Sequence, residues 1–309
     1  MTAMRRGRSL SSTSGIRRSV SRSAPRSGSS ARRRGAGRAA CLLAAAALLS
    51  GAAAPARAQR FELSGAPVQG GLIRGAAPAG TVALSLDGRD VPLAPDGRFL
   101  LGFDRDARPA ARLVARMADG SEIEARLAVA PRAWQIQHID MARPADGPTP
   151  EYAQLREGEL RLIARARAQH SPSQGWSQHF LWPAHGRLSG AFGAQRIYRG
   201  GVPAAYHSGA DIAAGAGALV VAPADGIVTL APPPRFSLEG NLVILDHGMG
   251  LTSSFLHLSS ALVRPGQVVH QGDPIGRVGA TGRATGPHLH WSLVWNGARL
   301  DPASVADPR

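Results

Sequence analysis

Four segments in the last third of the chain hold the side chains best suited to chemistry: His207-Ser208-Gly209-Ala210-Asp211, Asp246-His247-Gly248, Phe255-Leu256-His257-Leu258 and Gly286-Pro287-His288-Leu289-His290-Trp291. In a strand, residues i and i+2 project to one face, about 7 Å apart along the backbone, so His288 and His290 point into a shared space. Two imidazoles there can both ligate a metal, or one can ligate while the other moves protons. Asp211, four residues after His207, adds a hard anionic ligand. Two histidines and a carboxylate leave the fourth position of a tetrahedral zinc open for water, which a catalytic site requires. Singly, an H-x-H or an H-x-x-x-D pair is a common surface accident. Their co-occurrence in one small domain, with His257 on a third strand, gives them weight.

These segments resemble the motifs of the lysostaphin/LytM-type zinc metallo-endopeptidases. The likeness runs from Trp182-Pro183 and Ala191-Phe192-Gly193 through Ala222-Pro223-Ala224-Asp225-Gly226, Gly240 to Gly248, Val263 to Gly276 and Gly279-Ala280-Thr281-Gly282 to Asp301-Pro302. The resemblance implies that His207, Asp211 and His290 are the zinc ligands. It implies that His257 and His288 are the unliganded pair that orients and deprotonates water or stabilises an oxyanion. The substrate it implies is the peptide part of bacterial peptidoglycan. Two positions depart from the family: Phe255 stands where a Tyr is common, and Ser292 where an acidic residue often follows the last motif. Both bear on substrate preference more than on metal binding. A second reading keeps the same domain as a catalytically inactive LytM-like activator that partners another cell-wall hydrolase. A third makes it a wall-anchored scaffold with a structural zinc. Structural sites are normally closed by four protein ligands, and only three are present here.

The elements that must position these groups are short strands. Ala218 to Val221, Gly226 to Leu230, Leu242 to Leu245, Leu251 to Leu258, Pro274 to Val278 and Leu289 to Val294 alternate with Gly, Pro and Asp. That texture predicts a mainly β, antiparallel domain over 180–309. Residues 59–142 carry alternating apolar runs broken by Asp87-Gly88, Asp96-Gly97 and Asp119-Gly120, which read as hairpins of a small β-sandwich. Residues 143–179 form a linker with a helix. Thr149 is its N-cap, Pro150 its first residue, and it ends near His170-Ser171-Pro172. Tyr152, Leu155, Leu162, Ile163 and Ala166 recur at helical spacing, and the charged residues are expected on a solvated face. His138, His170, His179, His185 and His270 lack a spaced partner, and His247 reads as a structural hairpin residue.

Composition narrows the partners. The 309 residues include 36 Lys+Arg, all of them arginine, against 21 Asp+Glu, for a formal charge of +15. Residues 1–58 hold 12 of those arginines and no acid, so only +3 remains for the rest. A nucleic-acid binder needing a basic body is therefore disfavoured. The basic first 38 residues, the charge-free run from Ala39 to Ala56 and the Ala56-Arg57-Ala58 site match an export signal, cleaved after Ala58. Cleavage leaves no membrane span and no cysteine, because Cys41 is the single one. Disulfide, thiolate and Cys-zinc chemistry are then excluded. The expected location is the periplasm or cell envelope.

Overall fold

A computed structural model of the chain describes residues 60–143 and 149–306; residues 1–58, read above as an export signal, and most of the Pro/Gly-rich stretch lie outside the described residues. The chain is mostly β, its sheets antiparallel but for one strand pair.

Two small sheets form the first part. Leu72–Ala76 pairs with Glu62–Ser64 and Arg98–Gly102, while Thr81–Leu86 and Ala110–Met117 pair with each other between Arg89–Asp90 and Glu122–Ala128. Ile73, Leu84, Phe99, Leu101, Leu113 and Leu127 from both sheets are buried in one core, giving the small sandwich. Asp87-Gly88 closes a hairpin with both residues at positive φ (50° and 77°), the backbone of a type I′ turn. Asp119-Gly120 closes another. Asp96-Gly97 does not join paired strands, contrary to the hairpin expectation. It carries the chain from one sheet to the other, because Pro92 and Pro95 lack the N–H groups a continuing ladder needs.

The second part centres on an eight-stranded antiparallel sheet. Its order is Val268–Val269, Gly226–Leu230, Asn241–Asp246, Leu251–Leu258, Leu289–Trp295, Ala210–Ala213, Arg187–Gly190, with Ala298–Leu300 also pairing with Leu289–Trp295. One face of its middle strands is sealed: Ser253, Phe255, Trp291 and Leu293 pack inward, with Phe255 opposite Trp291 in register. The other face carries Ser254, Leu256, His290, Ser292 and Val294 and is open to a cavity. This alternation follows from the two-residue period of a strand. It places the chemistry on one side and the core on the other. Ile136–Ile139 pairs in parallel with Gln195–Tyr198, so chain from before the helix borders the segment that leads to His207.

The helix Pro150–Arg167 is capped by the Thr149 hydroxyl, which accepts from the Tyr152 N–H. Its packing corrects the sequence reading. Tyr152, Leu155 and Leu162 are exposed, and the buried residues are Glu159, Ile163 and Ala166. The charged side chains do not all lie on a solvated face. Arg156 bridges Glu159 and Glu239 at 2.9 and 2.5 Å, and Ser237 donates to Glu159 through its N–H and its hydroxyl. Mutual pairing is what lets these charges sit at a packed surface.

Candidate active site

Asp211 and His290 face each other directly across the antiparallel pair Ala210–Ala213 and Leu289–Trp295. Cross-strand neighbours on one face lie closer than any i, i+2 pair, so sheet register alone brings this carboxylate to this imidazole. The Asp211 Oδ1 to His290 Nδ1 distance is 2.8 Å. His207, on the loop entering that strand, completes a triangle: its Nε2 lies 3.1 Å from Asp211 Oδ1 and 3.1 Å from His290 Nδ1. Gly209 makes the approach feasible. A Cβ there would stand 2.6 Å from His290 Nε2 and 2.5 Å from the Trp291 carbonyl oxygen.

Hydrogen bonds to backbone carbonyls fix the tautomers of three histidines. His207 Nδ1 donates to the Ala191 carbonyl at 3.0 Å, His257 Nδ1 to Thr281 at 2.9 Å and His288 Nδ1 to Gly286 at 2.8 Å. A carbonyl can only accept, so each ring keeps its proton on Nδ1 and has an Nε2 lone pair to offer. His290 is turned the other way. Its Nδ1 faces Asp211, and its Nε2 meets the Ser292 hydroxyl at 2.9 Å. A hydroxyl both donates and accepts, so His290 can shift its proton to Nε2 and free the Nδ1 lone pair. Ser292 therefore touches a residue of the candidate metal site directly, whereas the sequence reading weighted it toward substrate preference more than metal binding.

His257 sits where strand alternation would have turned it into the core beside Phe255. Its φ of 65° breaks the alternation and brings the ring to the site, 4.8 Å from the His288 ring and 6.2 Å from His290. A left-handed φ at a non-glycine residue is a local strain of the kind that gathers at functional sites. Phe255 itself is fully buried, so the hydroxyl that a Tyr would bring has no place in this site. His288 Nε2 lies 3.8 Å from Asp211 Oδ1. All five sequence-predicted residues are thus gathered in one cluster.

The electrostatics divide the roles. Burial pushes the Asp211 carboxyl up, but the His207 and His290 rings, which donate to it and carry positive charge beside it when protonated, outweigh burial and hold the group well below the usual carboxylate range. Burial pushes His257 and His290 down, keeping both rings neutral at neutral pH. For His207, burial opposes protonation, yet the Asp211 contact and the Ala191 carbonyl prevail and raise its pKa. An anionic oxygen and two imidazole nitrogens with edges of 2.8 to 3.1 Å form a donor set that suits a divalent cation. Ligands around a tetrahedral zinc with bonds of ~2.0–2.1 Å stand about 3.4 Å apart, so a small opening of the triangle fits the ion. His207 and His290 each have an outer partner at the far ring nitrogen, as metal-ligating imidazoles do.

Two cavities meet at this cluster. One, of about 300 Å³, lies between the helix and the open sheet face and is lined by Arg156, Arg167, Ser254, His257, His290 and Ser292 among others. The other, of about 930 Å³, runs past His207 between Gln135 to Gln137 and the Ala204 to Tyr206 segment.

Comparison with known proteins bears on the same residues. The model of Peptidase family M23 matches residues 205–302, a span that includes all five. A crystal structure assigned to peptidase M23 from Pseudomonas aeruginosa is 31% identical, with 78% of this chain and 96% of that chain covered and a TM-score of 0.59. The chain belongs to peptidase family M23. Among curated relatives, the peptidoglycan DD-endopeptidase ShyA of Vibrio cholerae is 39% identical over 122 residues, 40% of this M23 chain and 28% of the relative. The DD-carboxypeptidase/endopeptidase Mpg of Neisseria meningitidis is 43% identical over 102 residues, 33% and 23% of the two chains. The M23 chain spans less than a third of the length of these curated relatives.

His247 is fully buried, held between the Asp225 carbonyl and the Ser253 hydroxyl at 2.8 Å each and edge-on to Phe180. It stays outside the cluster, as its place in a hairpin suggested. Sequence reasoning missed the helix residues facing the site. Arg156, Leu160 and Arg167 share a stripe with Ile163, which the apolar spacing had already named; the four recur at i, i+4, i+7 and i+11, and the two arginines escape a search restricted to apolar residues. The carbonyls of Ala191, Thr281 and Gly286, which set the tautomers, leave no side-chain signal to find.

Proposed function

We propose that the chain is an exported zinc-dependent endopeptidase that hydrolyses peptide bonds in peptidoglycan. The observation that carries this reading is the triangle of His207 Nε2, Asp211 Oδ1 and His290 Nδ1, with the Nε2 atoms of His257 and His288 free beside it. His207, Asp211 and His290 would hold zinc, which when bound supplies Lewis acidity toward a peptide carbonyl and toward water. The remaining work falls to the chain's own groups. His288 and His257 turn their Nε2 atoms to the site, so one accepts the proton of the attacking water there and later returns it to the leaving amine. The other would donate to the oxyanion that develops on the carbonyl oxygen as an imidazolium, with an Nε2 proton taken up from solvent before the reaction and kept through it. The backbone carbonyls on the Nδ1 side keep both rings in the tautomer this requires. Asp211 stays ionised throughout, because its two imidazole partners favour the charged form.

The peptidoglycan substrate is supported by the printed activities of ShyA and Mpg and by the family's match over the site. The export signal read from residues 1–58 fits a substrate found outside the cytoplasm. Among the described residues, no helix is long and apolar enough to cross a membrane. The alternative of an inactive activator is less well supported, since no ligand or base position is degraded. Incubating the purified chain with isolated peptidoglycan and identifying released fragments tests the proposal. Free amines and shortened cross-links should appear with the parent protein and be lost with His288→Ala. A parent protein inert on every wall preparation, yet able to stimulate a separate wall hydrolase, would refute it in favour of the activator.

A further inference from the structure

The 300 Å³ cavity beside the site ends on an unpaired guanidinium. Arg167, in the last turn of the helix, reaches over the open sheet face and donates from Nη2 to Ser254 Oγ at 3.2 Å. Its Nε is buried with no hydrogen-bond partner. Among the described residues, no carboxylate stands within ion-pair distance of Arg167, whereas Arg156, three turns earlier on the same stripe, is held by two. Arg299 lines the same cavity, also without a carboxylate partner, and its charge adds to the unfavourable burial of Arg167. Ser254 lies directly opposite Ser292 in register, and Ser292 in turn holds His290. The cationic end of the cavity is therefore one cross-strand step from the proposed ligand triangle.

A half-buried guanidinium with no carboxylate partner is unfavourable for folding, and its hydrogen bond to the neutral Ser254 hydroxyl offsets only part of that cost. What it fits is a planar anion. The guanidinium fork matches the two oxygens of a carboxylate, and the Ser208 and Ser254 hydroxyls on the cavity wall supply further donors. We propose that Arg167, with Arg299 beside it, forms a carboxylate-binding subsite that selects peptide substrates bearing a free carboxylate near the bond to be cut. This rests on the peptidase reading for the identity of the ligand, and the carboxylate can be a chain terminus or an acidic side chain.

The test is calorimetric titration of the full chain stripped of metal by a chelator, so that no cation attracts the carboxylate. The probes are acetyl-Ala-Ala with a free C-terminus, acetyl-Ala-Glu amide with only a side-chain carboxylate, and acetyl-Ala-Ala amide with neither, with both alanine enantiomers. One of the two carboxylate peptides should bind at least about tenfold more tightly than the neutral amide, and which one does so names the source. Arg167→Met should abolish that gap while its melting temperature stays at or above the parent's, a pattern a merely structural arginine does not give. Arg299→Met, which leaves the helix untouched, should narrow the gap. Equal binding of all three peptides, a gap that survives Arg167→Met, or inorganic phosphate binding as tightly as the better carboxylate would each overturn the subsite. Because the readout is binding without metal, it separates from the peptidase proposal. Wall digestion without a carboxylate gap removes only the subsite, and a gap without digestion removes only the peptidase reading.

Discussion

Replacing Ser292 with alanine removes one oxygen from the protein and leaves every proposed metal ligand in place. The consequence runs through His290, which is only 8% exposed. For Nδ1 to offer a lone pair to a cation, the ring proton must sit on Nε2, where among the described residues the Ser292 hydroxyl is its hydrogen-bond partner at 2.9 Å. Without that oxygen the N–H is buried and unsatisfied, which costs about 1–3 kcal/mol. The metal-free state loses less, since there the proton can remain on Nδ1 toward Asp211 at 2.8 Å. The difference falls on the metal-bound state, and zinc affinity should drop about tenfold to hundredfold, the range seen when outer partners of ligating histidines are removed. Competition against a chromophoric chelator at neutral pH measures it directly. Ser292→Thr, which retains a hydroxyl, should recover most of the loss. Wild-type affinity in Ser292→Ala, or an equal loss in Ser292→Ala and Ser292→Thr, would refute the assignment of Ser292 as the acceptor that sets the tautomer.

Three further outcomes follow from the same geometry. Burial pushes His247 down to about 4, against the opposing Asp225 carbonyl and the nearby Asp246 charge. The unfolded chain takes up a proton near the usual ~6.5 and the folded one only near that depressed value, so this group removes stability as pH falls through the window and none above it. The shift corresponds to about 3 kcal/mol, read as the difference between parent and His247→Gln in urea unfolding at a series of pH values. Glu239→Ala leaves Arg156 with Glu159 as its remaining carboxylate, and should destabilise the protein by about 3 kcal/mol and raise hydrogen exchange along the helix Pro150–Arg167. Gly209→Ala forces a methyl against His290 and the Trp291 carbonyl oxygen, so chelator competition should show zinc binding weakened more than tenfold.

The strands of the second part were legible because Gly, Pro and Asp punctuate them and because their apolar content is high. The cluster was legible because its residues come as short motifs, and because the i, i+2 rule sends His288 and His290 to one face. What places Asp211 against His290 is cross-strand register, a long-range property that no local spacing encodes. His257 is the opposite case. Alternation alone would have sent it into the core with Phe255, and only its left-handed φ brings it to the site. The helix was located correctly, but apolar spacing alone did not decide which of its faces packs. Apolar periodicity named Tyr152, Leu155, Leu162, Ile163 and Ala166, of which only Ile163 and Ala166 pack, beside the Arg156 ion pair with Glu239 and the hydrogen bonds that Ser237 donates to Glu159. Asp96-Gly97 failed as a hairpin for an equally local reason, the two prolines upstream of it.

The claim on which the rest depends is that His207, Asp211 and His290 share one divalent ion while His257 and His288 do not. Zinc titration of the parent chain and of five single alanine variants addresses it most directly. One zinc per chain should bind to the parent, to His257→Ala and to His288→Ala, and affinity should collapse in His207→Ala, Asp211→Ala and His290→Ala. Near-parent affinity in any of the last three, or its collapse in His288→Ala, would contradict the account.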